Sequence, residues 1–166
     1  MIANAPGGMR GEFNQRFGQN SKDRPQMLTQ LFPFTDVPTT DAVLGRTEAM
    51  HHRVTARGSH LKAFYTNTSA EYHRGDASLI HTDPEGEHDV SPGPNVRVYQ
   101  WTGTEHGLGV WPPTDSVLAA ADPSNSVERS RNLRSVIDYG RLLRACLVNM
   151  DRWASEGVEP PESLHP

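Results

Sequence analysis

The stretch Asn95–Gly107, NVRVYQWTGTEHG, decides how this chain is read. Val96, Val98 and Gln100 alternate with Arg97, Tyr99 and Trp101, which is the period of a strand. The alternation breaks at Thr102 and Gly103 and delivers Glu105, His106 and Gly107 just past the strand end. A histidine in that place is a candidate general base. It raises two questions: which acid would orient it, and which nucleophile it would serve.

Upstream, LKAFYTNTSAEY predicts a second short buried strand, with Leu61, Ala63, Phe64 and Tyr65 in it and its end at Thr66 or Asn67. A polar cluster comes next: Asn67, Thr68, Ser69, Glu71 and Tyr72. Between the two strands, DASLIHTDPEGEHDVSPGP is polar and broken by Pro84, Gly86, Pro92 and Pro94, so it is expected to be a loop or lid. Another loop, GLGVWPPTDSVLAAADPSNS, comes after His106.

The longest helix signal is SVIDYGRLLRACLVNMDRWASEG, where Val136, Tyr139, Leu143, Cys146, Leu147, Met150 and Trp153 fall on one stripe. Gly157 ends it, and Pro160 and Pro161 forbid its continuation. Nearer the start, Thr47 is expected to cap a helix running to Arg57, with Met50 and Val54 on its apolar face and Gly58 as its stop. Residues 1–46 show little period of either kind and read as an irregular loop.

The expected order is therefore a loop over 1–46, then helix, strand, lid, strand and helix over 47–157, within one partial α/β domain. Strands alternating with helices favour a parallel sheet with crossover connections. Two strands alone are too few for such a sheet, so the chain is expected to complete a larger sheet or to be a piece of one.

In a parallel sheet the carboxyl ends of the strands line one crevice, so the polar clusters after both strands should face the same site. Glu71 and His106, in that order, match the last two members of a nucleophile, acid, histidine triad. In that chemistry the acid holds the imidazole in the tautomer that accepts the nucleophile's proton and stabilises the imidazolium afterwards. Asp76 and Asp83 compete for the acid's role, but Asp76 can pair with Arg74 and Asp83 precedes Pro84 in a turn context. Glu71 lies nearest the strand end. The plainer alternative is that His106 is a capping or solvated loop histidine. No nucleophile elbow is found: Ser59, Ser69, Ser78 and Ser91 all lie outside any G-x-S-x-G pattern.

Composition narrows the rest. The 166 residues suit one domain, but hydrophobic residues make up only 35% while Gly numbers 14 and Pro 13, so the chain is expected to be loop-rich or incomplete. A net charge of -4 and the lack of a basic stripe argue against a nucleic-acid or anionic-membrane partner. With neither a long apolar run nor a secretory signal, it reads as a soluble cytoplasmic chain. The single cysteine, Cys146, excludes an intrachain disulfide and a cysteine-rich zinc site, and its place on the helix stripe makes it a core residue. Among the eight histidines, His81 and His88 with Asp76 and Asp83 are the set that invites a metal reading, but no compact ligand spacing such as HExxH is present. No metal or cofactor is expected. Arg10, Glu12, Asn14 and Arg16 read as a solvated polar loop.

Several segments taken together, GMRGEFNQRFGQ, FPFTDVPTTDAVLGRT, FYTNTSAEYHRGDASLIHTD, TGTEHG, WPPTD and LLRACLVNMDRWASEGVEPPES, resemble the C-terminal part of a group of bacterial α/β-hydrolase-domain proteins. The resemblance runs in order through nearly the whole chain. It implies an α/β-hydrolase fold and hydrolysis of carboxylic esters by a serine on a nucleophile elbow. In such enzymes the acid comes after the strand two places on from that serine, and the histidine after the last strand. Carried onto this sequence, the resemblance implies Glu71 in NTSAEY as the acid, with Asp76 as the alternative, and His106 in GTEHG as the histidine. It also implies that the earlier strands, the oxyanion loop and the elbow would lie before Met1, leaving the chain without a nucleophile of its own. A noncatalytic binding remnant of the same fold is the competing expectation.

Overall fold

The computed structural model describes residues 1–8, 32–74, 77–115 and 130–166. Its centre is a parallel three-stranded sheet built from β1 (Ile2–Asn4), β4 (Ala63–Thr68) and β5 (Val96–Trp101), in the order β1-β4-β5. A separate antiparallel pair joins β2 (Thr39–Asp41) to β3 (Arg46–Glu48). Three helices complete the described elements: α1 (His52–Thr55), α2 (Ser69–Arg74) and α3 (Gly140–Ser155), with a 3-10 turn over Ala77–Ile80.

Every residue of the central strand β4 is buried, as expected for a strand covered on both faces and paired on both edges. One face carries Ala63 and Tyr65, which pack with Val96, Val98, Ile80 and Ala3. The other carries Phe64, which packs with Trp101, Tyr139, Cys146 and Trp153, with Leu143 and Met150 alongside. Phe64 stacks on Trp153 with ring centroids 5.7 Å apart, and Arg97 and Lys62 lie over the same indole at 4.9 and 5.0 Å. Burial pushes the Cys146 thiol upward, so it is a packed, un-ionised core group. The chain end adds to the outer edge of β5: Leu164 donates to Val98 at 2.9 Å and accepts from Gln100 at 2.8 Å.

The first part of the chain departs from the sequence expectation. Residues 2–4 form an edge strand of the main sheet rather than part of a loop, pairing in parallel with Phe64, Tyr65 and Thr66. The helix expected from Thr47 to Arg57 shrinks to the single turn of α1, because Thr47 belongs to β3, where its hydroxyl bonds Thr40 at 2.8 Å instead of capping. Gly58, at φ +77, does end that turn. In α3, Cys146 and Trp153 are buried as expected, but Leu147 points to solvent and Val136 precedes the helix.

Candidate active site

The register of β4 and β5 pairs Thr68 with Trp101, so both strands leave the sheet at the same level and on the same edge of the molecule. The segments that leave the two strand ends therefore meet. After β4 the chain turns into α2, and Thr68 stands at its cap with Glu71 in its first turn. The Thr68 hydroxyl accepts the Ala70 N–H at 3.2 Å, and Glu71 Oε2 reaches back to accept the Thr68 N–H at 2.8 Å. This is a capping box, in which cap and carboxylate satisfy helix-end donors reciprocally. The same Oε2 also accepts the Thr68 hydroxyl at 2.6 Å.

The box occupies one carboxylate oxygen and leaves the other to be aimed. Glu71 Oε1 lies 2.7 Å from His106 Nδ1. The carboxylate is 0% exposed whereas the histidine side chain is 64% exposed. Burial alone would raise the Glu71 carboxyl, but the Thr68 hydroxyl, the His106 ring and the Thr68 amide all favour the anion, and the net displacement is downward. An anion at Oε1 requires the proton of a neutral imidazole to sit on Nδ1, which makes Nε2 the accepting nitrogen. An accessible imidazole oriented by a buried, fixed carboxylate is the arrangement that a general base requires.

The other residues considered from the sequence go elsewhere. Asp83 accepts from Glu87 N–H at 2.8 Å and pairs with His88 Nδ1 at 2.9 Å, a local arrangement within its own loop. His81 sets its Nε2 3.0 Å from the Tyr72 phenol, with the exposed Asp89 carboxylate 3.9 Å from its Nδ1. Asp76, and with it the alternative acid, lies outside the described residues, as do Arg10, Glu12, Asn14 and Arg16. Among the described residues, no group of three or more His, Cys, Asp or Glu is placed to hold a metal ion, and no helix is long and apolar enough to cross a membrane. Thr68 is the residue of the candidate site whose role sequence reasoning misses. Its signal is the T-x-x-E spacing of Thr68 and Glu71, which marks a capping box.

A parallel α/β layer whose adjacent strand ends bring a buried carboxylate to an accessible histidine has the arrangement expected at the acid and histidine end of a hydrolase fold. A family model described as the alpha/beta hydrolase domain matches residues 10–165, and the chain belongs to that family. No curated protein and no solved structure gives a significant match.

Proposed function

We propose that this chain supplies the acid and the general base of a serine-dependent carboxylic-ester hydrolase. The observation that carries the reading is the 2.7 Å contact between a fully buried, capping-box carboxylate and His106 Nδ1. Glu71 orients the ring and holds it in the Nδ1–H tautomer; Nε2 takes the proton of the serine hydroxyl as the serine oxygen bonds to the ester carbonyl carbon. The same proton passes to the departing alkoxide, leaving an acyl-serine and free alcohol. Water then repeats the sequence, with Nε2 again as base, and releases the acid. The serine comes from a segment outside these 166 residues, in keeping with the lack of a G-x-S-x-G elbow in the sequence. The substrate is a small-molecule ester, and no cofactor is needed.

The test is to assay p-nitrophenyl acetate with the chain alone and with the chain joined to the polypeptide encoded immediately upstream. The expected result is no turnover alone and turnover when joined, with most of it lost on His106→Ala. Joined protein that hydrolyses the ester equally well after His106→Ala contradicts the proposal. Ester binding without turnover in the joined protein favours the noncatalytic reading.

A further inference from the structure

His106 presents a mechanical problem. Its ring is largely exposed, and it rides on a loop with glycines at positions 103, 107 and 109, yet proton transfer needs Nε2 held in one place. A single hydrogen bond to Glu71 fixes one ring atom and leaves the backbone beneath it to be fixed by something else.

The segment just before α3 does this. Ser135 Oγ donates to the Gly103 carbonyl at 2.9 Å, and the Ser135 N–H donates to Glu105 Oε1 at 2.7 Å. Arg134 pairs with Glu105 Oε2 at 2.5 Å. The Gly109 N–H donates to the Ile137 carbonyl at 3.1 Å. The Tyr139 hydroxyl donates to the carbonyl of His106 itself at 2.7 Å. The segment thus grips the histidine loop before, at and after His106. It also lies so close that a Cβ on Gly109 would fall 2.3 Å from the Val136 carbonyl carbon.

Tyr139 is the anchor of this grip. It is 2% exposed, and its ring lies 4.7 Å from that of Trp101 at the end of β5. The end of β5 is thereby tied, through one side chain, to the backbone of His106.

We propose that residues 134–139 form a positioning strap for the general base, with Tyr139 as a positioning residue that keeps His106 on Glu71 through the histidine's own carbonyl. The proposal rests on the acid and base reading of Glu71 and His106. Its consequence is that loss of one hydroxyl, 33 residues from His106 in sequence, loosens the Glu71–His106 pair while leaving both side chains in place.

The test uses the whole chain and needs no turnover. The titration midpoint of His106 is followed by NMR in the wild type, Glu71→Gln, Tyr139→Phe and the double variant, a cycle that measures the coupling between acid and histidine. The displacement that Glu71→Gln causes is expected to fall by about half or more in the Tyr139→Phe background. Ser135→Ala and Gly109→Ala are expected to reduce it in the same sense, and they carry the test if Tyr139→Phe does not fold. An equal displacement in both backgrounds, with dispersed amide spectra, overturns the strap. If Glu71→Gln displaces nothing even in the wild type, the acid and base reading itself falls, which is a distinguishable result.

Discussion

Two neighbouring residues of α2 each hold a histidine, and the two pairs are built in opposite ways. Glu71 is fully buried and charged, and its histidine, His106, is largely exposed. Tyr72 offers a neutral phenol, raised to about 12 by burial, and its histidine, His81, is 2% exposed. The Nδ1 of His81 has no hydrogen-bond partner among the described residues; Asp89 lies 3.9 Å away and is itself exposed. The His81 ring stacks on His165 with centroids 4.0 Å apart. Burial first, then His165, lowers the His81 pKa against the pull of Asp89 and a backbone bond, so the ring is held neutral. Histidine alone therefore does not make a proton shuttle. The proposed proton transfer requires a buried charge and a reachable accepting nitrogen, and of these two pairs the Glu71 pair is the one that combines them.

That contrast can be broken most directly in the joined protein of the proposed assay. His106→Ala should lower kcat by about 10³-fold or more, whereas His81→Gln should change kcat by less than about threefold and act on stability instead. Steady-state kinetics on one ester reads both, and comparable losses from the two variants would erase the distinction. Glu71→Gln should come next, lowering kcat by about 10²-fold or more with little change in KM, because a carboxamide can present its N–H to Nδ1 and favour the wrong tautomer. Thr68→Ala removes both the helix cap and a donor to the carboxylate; about 1 kcal/mol of stability and a smaller fraction of activity should go, and Thr68→Ser should restore them. Urea unfolding with parallel rate measurements checks this.

The smallest effect is a separation in pH. His81 has a folded pKa below the ordinary 6.5, so the unfolded chain binds its proton more readily, and the stability contributed by neutral His81 is full above 6.5 and lost as pH falls below it. Glu71 has a folded pKa below the ordinary 4.5, so its contribution is full above 4.5 and is lost only as pH falls below that value through the lower folded one. Thermal or urea melts across this range should show two windows, the upper one reduced in His81→Gln, where His51, also lowered by burial, supplies the remainder, and the lower one reduced in Glu71→Gln. Reduction of the same window by both substitutions would contradict the assignment.

Much of the site is legible in the sequence because β4 and β5 carry their own signals. The alternation of Val96–Trp101 and the apolar run around Phe64 are local properties, and parallel pairing then brings Glu71 and His106 together without further information. β1 is not legible, because three residues carry no periodicity and its partners lie some sixty positions away. The pairing of Thr40 with Thr47 likewise overrides a helix start that looks sound locally, a tertiary choice between two uses of one threonine. In the sequence Tyr139 is one more member of an apolar stripe. Its ring is that, and its hydroxyl is a separate fact that only the folded loop reveals.

The most direct measurement is the tautomer of His106 at neutral pH, read from the ¹⁵N shifts of its ring nitrogens with assignment by His106→Gln. The predicted result is a protonated Nδ1 and an unprotonated Nε2, switching toward the Nε2–H form in Glu71→Gln. A wild-type ring that carries its proton on Nε2, or that exchanges freely between the two forms, would contradict the claim that Glu71 holds His106 as a base.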